Sequence, residues 1–376
     1  MNHRQSRAVT STTYPPILPG SLQKHIAGAI EAAGGWIGFD RFMEMALYTP
    51  GWGYYASGSR KFGLMPQSGS DFATAPEMSP HFGRALASQL GQALDATVTD
   101  EIWEFGAGTG ALASQLLQSL GDKVVRYNIV DLSGSLRERQ GERLATFGNK
   151  VHWVSELPGQ IRGVVVGNEV LDAMPVKVLA RTSGVWHERG VAVHEGAFVD
   201  ADKLTEFRPP VEIEGPHDYV TEIHPEAEGF MRTLADRLVA GAAFLIDYGF
   251  PEQEFYHPQR SMGTLMCHRL HVADTNPLAD VGDKDITAHV NFTGIALAAQ
   301  EAGMQVLGYT SQGRFLLNCG LLDGLEDVSL PERVMVQKLI NEHEMGELFK
   351  VIALGARHSA EWVPMGFNQG DRTHKL

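Results

Sequence analysis

Cysteine is almost missing: the chain has two in 376 residues, Cys267 and Cys319. Two thiols so far apart build no disulfide framework and fit no zinc pairing, and such sparse use points to a reducing compartment. Positive charge is also short, with 31 Lys and Arg against 45 Asp and Glu, for a formal net charge of -14. Phosphate neutralisation needs a basic face, so no nucleic acid partner is expected. No apolar run is long enough to span a bilayer, so no membrane span is expected either. The first thirty residues contain no Asp or Glu. Acid-poor, Arg- and Ser-rich leaders serve as organelle transit segments, but these few Arg residues lack amphipathic helical spacing. Residues 1–20 therefore read as a disordered tail of a bacterial-type cytoplasmic chain, with the mitochondrial matrix as the location if the tail is a transit segment.

What remains is ordinary for a globular protein, 43% hydrophobic and 20% charged, and permits a large core. Helical spacing begins at "SLQKHIAGAI" and continues through "GFDRFMEMALY". Residues 21–95 read as a helical extension with a loop, rich in glycine and aromatics, that covers a cofactor. From 96 to 376 strands and helices alternate: "EIWEF", "YNIVDL" and "KVHWV" are strands separated by the helices "ALASQLLQSL" and "SLRERQGERLATF", and "GVVVGNEV" and "AAFLIDYG" are further strands. That alternation, with short Val- and Ile-rich strands, implies α/β architecture around a sheet covered on both faces. A stretch of period near two, "VKVLARTSGVWHERGVAVHEGAFV", reads as an antiparallel insertion after the fourth strand, spanning about 176–235. Near the C-terminus "PERVMVQKLINEHEMGELF" reads as one helix that pairs subunits into an oligomer or packs on the sheet.

The chemistry concentrates at "WEFGAGTGALA", a strand, a glycine turn and a helix start. Gly106, Gly108 and Ala111 fit the dinucleotide fingerprint, with Asp131 about 20 residues further on. Gly106, Gly108 and Gly110 with Glu104 fit equally the E-x-G-x-G-x-G turn that holds S-adenosylmethionine (SAM). No Lys-Ser/Thr follows, which argues against triphosphate binding. Glu104 favours SAM, because a carboxylate at the mouth of the turn repels pyrophosphate but suits a sulfonium and an ammonium. A strand-end carboxylate bonded to loop amides is the plainer role for Glu104.

A second cluster, "GNEVLDAMPV", puts Asn168, Glu169 and Asp172 at the carboxyl end of the fourth strand, where open α/β sheets bind ligands. Acids there suit a cationic acceptor, although Asn168 and Asp172 could instead cap a following helix. Glu169 is the candidate grip on the acceptor, with Asp172, Asp247 and Tyr248 next at the same sheet edge. In "GSDFATAPEMSPHFG", Thr74 and Glu77 are placed at the ligand's amino-acid end and Gly83 near it; Thr74 and Glu77 also match a capping box. Trp52, Tyr54 and Tyr55 of "WGYY" offer aromatic faces for a cation or simple packing. Cys267, His268, His271, Asp285 and His289 invite a metal, but their spacing matches no standard zinc motif, and no metal is assigned.

Several of these blocks, in order from Ser21 to about Leu354, resemble the MidA-like family of SAM-dependent methyltransferases: "YTPGWGYY", "GSDFATAPEMSPHFG", "WEFGAGTGALA", "GNEVLDAMPV", "LIDYG", "GTLMCHRLH" and "DITAHVNFT". The resemblance implies a Rossmann-like class I methyltransferase fold and SAM as donor. It also implies a protein arginine as acceptor, by analogy with mitochondrial members associated with symmetric dimethylation of a complex I subunit. A small-molecule methyltransferase and a SAM-binding assembly factor without turnover are the competing functions. One block departs from the family, which has Asp where this chain has Asn291. If that position serves the acceptor, Asn weakens the carry-over; if it caps a helix, Asn serves as well.

Overall fold

The computed structural model describes residues 21–57, 74–131, 134–270, 272–358 and 362–376. The tail 1–20, the loop before Thr74 and His271 lie outside the described residues. The chain opens with α1 (Leu22–Ala32), β1 (Ile37–Gly38), α2 (Phe39–Tyr48), the short α3 (Ala75–Met78) and α4 (Pro80–Thr97). Ser79 caps α4 by accepting the His81 amide at 3.2 Å, and Pro80 fits its first turn because no amide is needed there. Next come β2 (Glu101–Phe105), α5 (Ala111–Leu120), β3 (Arg126–Val130), α6 (Gly134–Leu144), β4 (Val151–Val154) and β5 (Ile161–Asn168).

Then the pattern changes to β6 (Lys177–Thr182), β7 (Val185–His194), β8 (Ala197–Leu204) and β9 (Tyr219–Ile223), followed by α7 (Pro225–Arg237) and β10 (Leu238–Phe250). The last part holds α8 (Glu252–Phe255), β11 (Met266–Arg269), β12 (Val272–Asp274), β13 (Asp285–Thr287), β14 (Val290–Asn291) and α9 (Phe292–Glu301). It ends with β15 (Gln305–Ser311), α10 (Gln312–Asn318), α11 (Leu330–Ile340), α12 (Met345–Leu348) and β16 (Phe349–Gly355). The single C-terminal helix expected from the sequence is thus two, because Asn341 is extended and breaks it.

The central sheet runs β15-β16-β10-β5-β2-β3-β4, with β14 also on β10. Neighbours from β10 to β4 are parallel, and β16 runs antiparallel between β10 and β15. Period-two alternation splits the core between the two faces. Val164, Val166, Phe244 and Ile246 pack under α4 and α5, while Val165, Ala243 and Leu245 pack under α7 and α9. The chain leaves β2 in one direction toward β3 and β4 and returns to β5 on its other side, so a crevice opens at the carboxyl ends between β2 and β5.

A second sheet holds β1-β7-β6-β9 with β8 on β7, and a third holds β12-β11-β13. Ile37 of β1 registers with Val191 of β7, and α1 and α2 share one apolar cluster with Val178, Val191, Phe198 and Ile286. The N-terminal region therefore divides: α1 and α2 belong with the second sheet, whereas α4 packs on the central one. The antiparallel stretch also ends earlier than read from sequence, since Met231 and Leu234 of α7 lie in the central core.

Gly249 ties two sheets together. A Cβ there would meet the Val290 carbonyl oxygen at 2.1 Å, so β14 reaches β10 only because this position has no side chain. Gly249→Ala should cost about 1–3 kcal/mol in denaturant unfolding. A midpoint equal to wild type would show that β14 can move away at no cost.

Candidate active site

The crevice opens into a cavity of about 1590 Å³. On one side stands the glycine turn. Gly106 and Gly108 take φ of +64° and +53°, which favour glycine, and Gly108 faces open space. A Cβ on Gly106 would meet Val170 Cγ2 at 3.0 Å, so the turn also packs against the acid-bearing segment after β5. Glu104, next to last in β2, is buried and accepts the Tyr127 hydroxyl at 2.7 Å. Burial pushes its carboxyl up to about 8, the Tyr127 hydrogen bond opposes this, and nearby Asp131 adds to it. Among the described residues no cation contributes, so this carboxylate suits a cationic ligand.

Asp131 lies one residue past β3 and on the cavity wall. Gln140 of α6 donates to Asp131 Oδ2 and to the Gly108 carbonyl, both at 2.9 Å, and receives the Trp153 indole at 2.8 Å. That bridge holds the acid beside the turn, and Val130, Leu136 and Leu157 add apolar wall suited to an aromatic base. A buried carboxylate that no described cation neutralises, a glycine cradle and an acid at the second strand end together fit SAM.

The other side is acidic. Glu169 follows β5 with φ +56°, a left-handed conformation costing about 1–2 kcal/mol for a residue with a Cβ. Its amide bonds the Ile246 carbonyl at 2.9 Å, and its carboxylate accepts from Asn168 Nδ2 at 2.9 Å. Burial pushes Glu169 up to about 8, with Asp172 nearby pushing the same way. Asp172 is buried, accepts the Tyr248 hydroxyl at 2.5 Å and is raised to about 6, chiefly by burial. From the third sheet Asp285 reaches the same cavity, and Tyr55 donates to both its oxygens at 2.9 and 3.0 Å. Among the described residues ten carboxyl side chains line the cavity against two cations, Arg41 and Lys338.

Of the residues singled out in the sequence, Glu104, Gly106, Gly108, Asp131, Asn168, Glu169, Asp172, Thr74 and Glu77 line this cavity. Gly110, Gly83 and Asp247 do not. Gly110 packs on Gln140 and Leu144, with φ +80° at the start of α5. Gly83 lets α4 approach α5, where a Cβ would meet Gln115, whose Oε1 accepts the Gly83 amide at 3.1 Å.

Asp247 sits behind the wall. Its Oδ2 accepts the amides of Val170, Leu171 and Asp172 at 3.1, 2.9 and 3.2 Å, and its Oδ1 accepts that of Tyr248 at 2.9 Å. Burial and the neighbouring Asp172 and Glu169 push its carboxyl up, against the pull of those amides. It braces the acid turn from behind and is not part of the cavity lining.

Thr74 and Glu77 form no capping box. Thr74 makes no side-chain cap bond, and Glu77 instead takes the Thr109 hydroxyl and Arg143 Nη1 (2.8 Å), latching α3 to the glycine turn. Asn291 caps α9, accepting the Gly294 amide at 3.3 Å away from the cavity, so the departure from Asp leaves that job intact. Tyr54 is core, Trp52 is half-exposed beside His25, and Tyr55 alone of "WGYY" lines the cavity. His268 and His289 line it too, but among the described residues no three His, Cys, Asp or Glu gather as a metal would need. Gln140 and Tyr48 were not singled out in the sequence, although Tyr48 opens the block "YTPGWGYY"; each reaches the site through the packing of its helix.

The fold and this cavity define a SAM-dependent methyltransferase. Residues 84–310 match the family described as "Putative S-adenosyl-L-methionine-dependent methyltransferase". A Burkholderia thailandensis protein crystallised with S-adenosyl-homocysteine is 47% identical, covers 97% of this chain and 100% of its own, and superposes with a TM-score of 0.90. The mitochondrial protein arginine methyltransferase NDUFAF7 of Danio rerio is 26% identical across 89% of this chain and 86% of its own. The Caenorhabditis elegans homologue is 24% identical across 94% and 91%. The chain belongs to the MidA-like family of SAM-dependent methyltransferases, and SAM is its cofactor.

Glu104 makes the ligand-free protein sensitive to pH. Folded, it keeps its proton up to about pH 8, whereas unfolded it releases it near about pH 4.3. Between those values the native state binds the extra proton, so stability falls as pH rises through the window. Denaturant unfolding at about pH 5 and about pH 8 should show that fall, and Glu104→Gln should make it shallower. Identical slopes for the two proteins would clear Glu104 as the cause.

Proposed function

We propose that this chain methylates a guanidinium nitrogen of a protein arginine, with a respiratory NADH dehydrogenase subunit as the partner and the cytoplasm as the compartment. The observation that carries this reading is the acid-lined half of the cavity, where Glu169 and Asp172 stand beyond the glycine turn. The names of the NDUFAF7 relatives support arginine as the acceptor. The compartment is supported by two buried, unpaired cysteines.

When bound, SAM supplies an electrophilic methyl group for in-line transfer. A guanidinium is protonated far above neutral pH and is a poor nucleophile until its charge is localised. Glu169, ionised, grips the fork and draws positive charge to one nitrogen, leaving the other more nucleophilic. As the N–C bond forms, the S–C bond breaks with its electron pair on sulfur, and the attacking nitrogen gives up a proton. Glu169, whose proton affinity burial has raised, is placed to take it. Asp172, braced by Tyr248, keeps the field negative, and the latch of Glu77 on Thr109 and Arg143 holds α3 over the turn. Water exclusion and alignment do the rest.

Glu169→Gln should leave SAM affinity nearly unchanged and lower turnover about 100-fold or more. Acceptor binding needs the ionised carboxylate, so in wild type kcat/KM should rise with pH up to about 8, and the Gln variant should lose that rise. Unchanged turnover would remove Glu169 from the mechanism. Arginine methylation is checked by mass spectrometry of proteins from a strain lacking the gene, before and after incubation with enzyme and SAM. Label on small molecules alone would overturn the protein-substrate reading.

A further inference from the structure

The cavity exceeds what a donor needs. Small-molecule sites commonly enclose about 300–1,000 Å³, and this one holds about 1590 Å³, with a lining that runs past Glu169 and Asp172 to Tyr48, Tyr55 and Asp285. Tyr55 reaches both Asp285 oxygens. Its ring stacks on Tyr48 at 5.6 Å and 23°. The Tyr48 hydroxyl in turn donates to the Ala173 carbonyl at 2.8 Å, next to Asp172. A pair of tyrosines thus joins the Asp285 strand to the acid turn after β5.

Asp172 supplies a second observation. The residue is 4% exposed, and among the described residues its Oδ1 has no hydrogen-bond partner while Oδ2 takes Tyr248. A buried acceptor oxygen left in this way on a cavity wall is suited to a donor from a ligand. Asp285 also stands near enough to raise the proton affinity of Glu169, so the two carboxylates act on one space.

We propose that Asp285, oriented by Tyr55, is an acceptor-binding carboxylate that grips the incoming cation together with Glu169 and so selects a guanidinium over an ammonium. The choice of cation rests on the arginine reading above. Carboxylates presented by two different sheets can each take part of a planar fork with five donors, whereas a compact ammonium offers three donors around one point. Tyr55 is a positioning residue: its part is to fix the Asp285 carboxylate that meets the acceptor.

The test uses the full chain loaded with S-adenosyl-homocysteine and two calorimetric probes, Nα-acetyl-arginine methylamide and its lysine counterpart. Wild type should bind the arginine probe more tightly than the lysine probe. Asp285→Asn should weaken arginine-probe binding about tenfold or more, and Tyr55→Phe about three- to tenfold, both with S-adenosyl-homocysteine affinity unchanged. A merely structural role would weaken both ligands together. Unchanged arginine-probe affinity in Asp285→Asn overturns the proposal and leaves the arginine reading standing. If that variant no longer binds S-adenosyl-homocysteine, Tyr55→Phe decides, and unchanged probe affinity there overturns the proposal. A wild type that prefers lysine sinks both the arginine reading and the selectivity, and a wild type that binds neither probe overturns both ideas.

Discussion

One carboxylate holds the candidate site in shape. Asp247 collects four backbone amides, three of them consecutive from Val170 to Asp172. Those amides would otherwise be unpaired behind the sheet edge, where each unmet donor costs about 1–3 kcal/mol. With them satisfied, the chain can turn sharply after β5, and Glu169 can sit in its left-handed conformation with its carboxylate on the cavity wall. Asp172 is presented by the same turn and Gly106 packs against it through Val170. Donor side and acid side are thus braced by a single buried group.

Burying several carboxylates with few cations is unfavourable, and the chain answers it with protons and hydroxyls. Tyr127 serves Glu104, Tyr248 serves Asp172 and Tyr55 serves Asp285. Glu104 and Glu169 respond to burial by holding protons to about pH 8. Such an arrangement is poised to exchange protons for cationic ligands, because a bound positive charge restores the ionised form. The sulfonium donor fits that requirement at one end of the cavity. A positively charged acceptor fits it at the other.

The acid side is a product of assembly. Its walls come from α2 and the loop after it, from the turn after β5, and from the small β11–β13 sheet, which reaches the central sheet through β14 and Gly249. The second sheet supports this by accepting β1 and packing under α1 and α2, which carries Tyr48 to the cavity. Helices α1 and α2 and the second sheet therefore share one apolar layer, apart from the two cores of the central sheet.

The glycine turn, the strand-helix alternation and the acids at strand ends were legible in the sequence because local backbone rules write them there: φ above zero at Gly106 and Gly108, Val-rich buried strands, short βα turns. Gly83, Gly110 and Asp247 fall outside the cavity lining, which residue type and proximity in sequence could not foretell because helix packing and side-chain direction decide it. Asp285 and His289 suggested a metal by composition alone, whereas their places depend on strand pairings across distant segments. The sequence by itself determined the α/β core and the donor-binding turn, since both follow from contacts within a few residues or from repeated hydrophobic period. Only the tertiary structure decided which acids share one cavity, because that depends on three sheets meeting, and no local pattern encodes their meeting.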